Sequence, residues 1–204
     1  MATTRQLIDQ VKRLLRGDPS YTDEIVLEKL NNGLLEVSGL ILLPDLLADS
    51  PITAEGNQSY VDLPEDFHRE VFLVASGAAD GKVNLNSSWQ RFLNRHPTLD
   101  EAGGNISEVV VRGQRLYYQP RPTTRDTLTV HYYRKPAEMT LDEETDAPDG
   151  VPVQLQTRLL VSYAAREFFD EIEDGIEGPK INWEKQNTNF FRALSALKEF
   201  VGPA

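Results

Sequence analysis

The 204-residue chain has no cysteine. That excludes a disulfide framework, a thiolate zinc site and a cysteine nucleophile, and it suits a reducing compartment. A long apolar run is also missing: Leu40 to Leu43, for example, stops at Pro44, far short of the roughly 20 residues a membrane helix needs. Positive charge is scarce, with 21 Lys and Arg against 32 Asp and Glu and a net charge of -11. Such a surface does not grip phosphates by displacing counterions, although an acidic wall would let DNA slide past without sticking. Absent too are GxGxxG, GxxxxGK[ST], GxSxG and HExxH, so no nucleotide loop, nucleophile elbow or zincin helix is written here. The first 17 residues, MATTRQLIDQVKRLLRG, carry charges inside an amphipathic pattern and read as a helix rather than a secretory leader. With no secretion expected, the Asn-x-Ser matches at Asn57, Asn86 and Asn105 carry no glycosylation meaning.

What is present is periodic. Apolar residues at helical spacing predict helices over 4–15, with Leu7, Ile8, Val11, Leu14 and Leu15 on one stripe, and over 22–38, capped by Thr22 with Leu27, Leu30, Leu34 and Val37 inward. The middle changes to period two. EVFLVA reads as a strand, SSWQRFLNRH (87–96) as a short helix capped by Ser87 or Ser88, and 106–134 as a three-stranded antiparallel meander with a tight turn at Gly113-Gln114. LDEETDAPDG (141–150) reads as an acidic loop. Helix returns over 153–174, with Phe168, Phe169 and Ile172 on the core face and Gly175 as its stop. A last helix is predicted over 182–200, capped by Asn182. The expectation is one α+β domain, 1–204, consisting mainly of a bundle of about four helices with an antiparallel β-rich insertion at about 50–140.

Two arrangements invite a chemical reading. His68-Arg69-Glu70 on a strand would point His68 and Glu70 the same way, and His131 on a later strand would complete a two-histidine, one-carboxylate metal site. A small metal-dependent enzyme built on these three is therefore the alternative function. The acidic stretch DEIEDGIE (170–177) fails as an EF-hand: counted from Asp170, Ile172 falls at position 3 and Ile181 at position 12, where oxygen ligands are required. Its acids sit at a helix C-terminus, where each charge in the last turn costs about 0.3–1 kcal/mol at low salt. That cost suggests the end formed by Asp170, Glu173 and Asp174 faces basic groups on a neighbour or lines a channel. Tyr117, Tyr118, Tyr132 and Tyr133 suit a half-buried sheet better than base stacking, because few basic residues are interleaved with them.

The segment LTVHYYRKPAEMTLDEETDAPDGVPVQLQTRLLVSYAAREFFDEIEDG, preceded by TDEIVLEKLNNGLLEVSGLILLPDLL and YVDLPEDF, resembles the head-to-tail adaptor (connector) proteins of tailed bacteriophages in the order of its elements. The resemblance implies a non-enzymatic structural protein without a cofactor. It implies a ring, commonly of twelve copies, under the portal at the packaging vertex, extending the DNA channel and docking later neck or tail proteins in the virion neck after assembly in the host cytoplasm. It also implies that the C-terminal segment, including Trp183, Phe190, Phe191 and Phe200, reaches the portal, although the same residues would equally serve as core.

Overall fold

A computed structural model describes residues 2–77, 81–101, 103–141, 147–174 and 178–202. In chain order the elements are α1 (Thr4–Leu14), α2 (Asp23–Leu40), β1 (Leu47–Ala54), β2 (Tyr60–Asp62), β3 (Phe67–Ser76), β4 (Gly81–Lys82), β5 (Asn84–Asn86), α3 (Trp89–Arg95), β6 (Glu108–Arg112), β7 (Arg115–Gln119), β8 (Asp126–Arg134), α4 (Val153–Gln156), a π-helical stretch (Thr157–Val161), α5 (Ser162–Ile172) and α6 (Ile181–Val201). The chain divides into two compact units. One is Met1–Leu46 with Lys135–Ala204, and the other is Leu47–Arg134.

In the helical unit, α1 opens on a capping box: the Thr3 hydroxyl accepts from the Gln6 amide and the Gln6 side chain accepts from the Thr3 amide. Thr22 caps α2, and Asp23 in its first turn takes charged hydrogen bonds from Arg5 and Lys12 of α1. The helix-terminal charge thereby also fastens α1 to α2. Helix α4, the π stretch and α5 run on as one rod. Helices α1 and α2 pack on each other and on this rod, and α6 packs on α5 and the π stretch. At the α2 contact only a glycine fits, since a Cβ on Gly33 would stand 2.7 Å from Cδ1 of Tyr163. The Tyr163 ring in turn meets Phe190 of α6 edge-on at 5.5 Å. Buried Gln156 fixes the start of the rod, donating to the Val151 carbonyl at 3.0 Å and accepting from the Ala2 amide at 3.2 Å.

The inserted unit holds two four-stranded sheets, ordered β1-β8-β3-β4 and β2-β7-β6-β5. All pairs are antiparallel except β5 with β6. Both sheets supply one apolar core, in which Val74, Leu128 and Val130 from the first meet Val109, Leu116 and Tyr118 from the second. Its first and last strands are neighbours along their whole length, from Leu47↔Tyr133 to Ala54↔Asp126. The entry and exit of the insertion therefore lie side by side, which lets it be spliced in after Leu46.

The α+β class holds, but the expected four-helix bundle does not. Among the described residues there are five helices, counting the α4 to α5 rod once, and two sheets. The reason lies in packing: α1, α2 and α6 each lean on a central rod instead of four helices enclosing a shared core, and a large part of the chain builds a β core of its own. The three-stranded meander is also corrected. The β6–β7 hairpin forms with Gly113 at φ +62, but β8 joins the other sheet between β1 and β3. Pro120 and Pro122 follow β7 directly; lacking amide donors, they end the ladder and redirect the chain.

Candidate functional site

The end of the rod and the start of α6 form the region that the sequence singled out. Glu173, just past α5, is only 9% exposed. One of its oxygens accepts from the Asn182 backbone amide at 3.1 Å and the Asn182 side-chain amide at 2.7 Å, and the other accepts from the Trp183 amide at 3.1 Å. Those two backbone amides are among the unpaired donors at the N-terminus of α6, so Glu173 caps the following helix from outside it and places its charge at the positive end of that dipole. Asn182 is consequently not the cap that was expected, since α6 already begins at Ile181. Burial raises the Glu173 carboxyl, but the hydrogen bonds from Trp183 and Asn182 and the nearby Lys180 hold it below the ordinary glutamate value.

The neighbouring acids are also answered within the chain. Asp170 and Asp174 flank Lys180 at 2.9 and 3.5 Å, and Glu171 meets Lys29 of α2 at 2.7 Å. The hydrogen bond it donates to Asp170 raises the Lys180 ammonium above its ordinary range, as the one donated to Glu171 does for Lys29. Ile172, placed on the core face by the helical wheel, is 42% exposed. It lines an open depression of about 540 Å³ with Leu14, Tyr21 and Phe169. Gly175, expected to stop the helix, lies outside the described residues.

The aromatic residues of α6 divide into two sets. Phe190 is 1% exposed and belongs to the core, and Trp183 is half-buried. Phe191 and Phe200 are 51% and 62% exposed, and Ile181 is 66% exposed. An amphipathic helix hides its apolar stripe, so these three lie outside what α6 needs for packing on the rod.

The match that decides the relationship covers nearly the whole chain: the model of the SU10 adaptor protein family fits residues 2–202. The chain belongs to the SU10 adaptor protein family. It is a bacteriophage structural adaptor and hence a virion component that contacts other phage proteins. A comparison with curated proteins finds no match, and no described helix of this adaptor is long and apolar enough to cross a membrane.

The metal reading fails on geometry. His68 and Glu70 lie on β3, where the register against β8 shifts between Phe67 and Arg69, Arg69 and Val71, and Val71 and Leu73. Glu70 itself has φ +46, so the alternation that would align His68 with Glu70 is broken. His131 on β8 pairs opposite Leu73. Among the described residues, no group of three or more histidines and carboxylates could hold a metal ion.

Sequence reasoning on the adaptor missed the capping role of Glu173 and the pairing of the neighbouring acids with Lys29 and Lys180. No local rule links Glu173 to amides nine and ten positions ahead, because the turn between two helices sets that distance. Glu173→Ala should leave the fold intact, lower the melting temperature, and speed hydrogen exchange at the Asn182 and Trp183 amides several-fold. A folded-state carboxyl held below its ordinary value contributes stability above pH 4.5 that is lost as pH falls through the lowered value. The variant should therefore lose less stability than the parent on acidification below pH 4.5, as measured by urea titrations at pH 7 and pH 3.5.

Proposed function

We propose that this chain is a non-enzymatic neck protein that assembles as a ring beneath the portal of a tailed phage. In this reading it extends the DNA channel and joins head to tail. Membership of a phage adaptor family over residues 2–202 supports it, and the observation that carries it is the exposed apolar set on α6. Phe191, Phe200 and Ile181 are left uncovered in a chain otherwise rich in charge, and an uncovered aromatic set on a helix suits a protein partner. On this reading the exposed Ile181, Phe191 and Phe200 of α6, with Trp183 at its start and Asp170 and Asp174 beside it, meet the portal. Phe190 and Glu173 support α6 from within. The acid surplus, multiplied around a ring, gives DNA a wall it does not adhere to.

The test is binding to the portal. Phe191→Asp with Phe200→Asp should leave the melting temperature nearly unchanged, because both side chains are more than half exposed. Portal binding measured by pull-down and sedimentation should weaken by about tenfold or more. A doubly substituted chain that binds portal as tightly as the parent would place the contact elsewhere, and a parent that does not bind portal would overturn the function.

A further inference from the structure

A cleft in the helical unit has a chemistry that runs against the chain as a whole. Between the π stretch and α6, a space of about 230 Å³ is walled by Arg158, Arg192 and Asn189 and floored by Ser162 and Ala193. The floor is buried and its residues are small, which leaves room above it, and both guanidinium groups are exposed. The π stretch contributes directly: its extra residue per turn shifts Arg158 from the position an α-helical register would give it. In a chain with a surplus of 11 negative charges, several arginines are already matched, with Arg5, Arg95, Arg115, Arg125 and Arg166 each paired to a carboxylate. Among the described residues, neither Arg158 nor Arg192 has such a pair, and no acid lines the cleft. The depression beside α1 that holds Arg13 and Arg16 differs, because Asp9 lines it.

A complementary patch lies on another element of the same unit. Glu24, Glu28 and Glu138, all exposed, rim a depression of about 520 Å³ on α2 whose apolar lining includes Leu27 and Leu141. The wall formed by 138–141 is held against α2: the Asn31 side chain donates to the Met139 carbonyl at 3.1 Å and accepts from the Met139 amide at 2.9 Å. Among the described residues none of these three glutamates has an ion pair.

Resting on the ring reading above, we propose that the Arg158–Arg192 cleft of one copy receives the Glu24–Glu28–Glu138 rim of the next copy. Copies that each carry a charge of -11 repel one another, so a ring of them needs fixed points of opposite charge. A head-to-tail interface requires two different, complementary patches on each subunit. Two guanidinium groups converging on one cleft suit carboxylates, which they bind in a planar, bidentate way. Both patches belong to the helical unit, so the contact places no demand on the β unit.

Assembly with the portal, followed by electron microscopy and by cross-linking, tests the contact. The cysteine-free chain takes two cysteines cleanly, so Arg192→Cys with Glu28→Cys on one chain should give a ladder of disulfide-linked multimers on oxidation in the presence of portal. Arg158→Glu with Arg192→Glu, and separately Glu24→Arg with Glu28→Arg and Glu138→Arg, should each melt like the parent yet lose ring formation by about tenfold or more in midpoint concentration. The chain carrying both sets should recover it. Rings formed equally well by both reversed variants, or no ladder from the cysteine pair while parent rings form, would overturn this interface and leave the adaptor reading standing. A parent chain that forms no ring on portal would overturn both.

Discussion

Replacing Phe168 with alanine is expected to destabilise the helical unit by about 3–5 kcal/mol. Phe168 is 1% exposed on the central rod, where α1, α2 and α6 all pack on the rod's residues. Its ring meets Tyr21 edge-on at 4.8 Å, and the Lys29 ammonium lies 5.9 Å from the ring centre. Truncation removes the transfer energy of the ring and leaves a cavity that rigid neighbours fill only in part. The same Lys29 holds Glu171, so the void also loosens the anchoring of the acidic end of α5. Circular dichroism at 222 nm in a urea titration reads this loss, with a midpoint shifted well down and a cooperative transition retained. A change under 1 kcal/mol would mean that the rod is not the centre of the unit.

The second large effect belongs to the β unit. Tyr118 is fully buried on β7, and its hydroxyl donates to the Tyr60 carbonyl at 3.3 Å. Tyr118→Ala should cost about 3–5 kcal/mol, since it opens the shared core of both sheets. Tyr118→Phe should cost only about 1 kcal/mol, the net worth of one hydrogen bond. The tyrosine also sets an alkaline limit. Burial, with a smaller effect from Glu55, pushes its hydroxyl up from 10.0 to about 12. Burial likewise raises Tyr132, whose hydroxyl donates to Asp66 at 2.7 Å. A folded-state value raised above the unfolded one gives stability that is complete below pH 10 and is lost as pH rises through the folded values. Urea titrations at pH 9 and pH 11.5 should show the parent weakening and Tyr118→Phe weakening less. Trp89 reports this, because it packs edge-on against Tyr117 at 4.8 Å, and Trp183→Phe leaves it as the single indole.

Local patterns were legible in the sequence wherever neighbours in the chain decide the outcome. Ser88 capping α3, Gly113 in its tight turn and the Leu30, Leu34 and Val37 stripe all follow from short-range rules. Long-range choices were not legible. Nothing near β8 says that it pairs with β1 and β3 rather than with β7, and the π stretch that turns Arg158 into its cleft has an ordinary helical sequence. The acids at 170–174 looked unsatisfied because their partners, Lys29, Lys180 and the amides of α6, come from elsewhere in the fold. The apparent electrostatic cost at the end of α5 is thus largely offset within the subunit. The exposed apolar residues of α6 and the two charged depressions are the better candidates for partner contacts.

The most direct test of the central claim is electron microscopy of the purified chain mixed with the portal assembly of its own phage. The account predicts a closed ring of copies seated on the portal and extending its channel. Bare portals beside a folded chain that stays monomeric at assembly concentrations would contradict it.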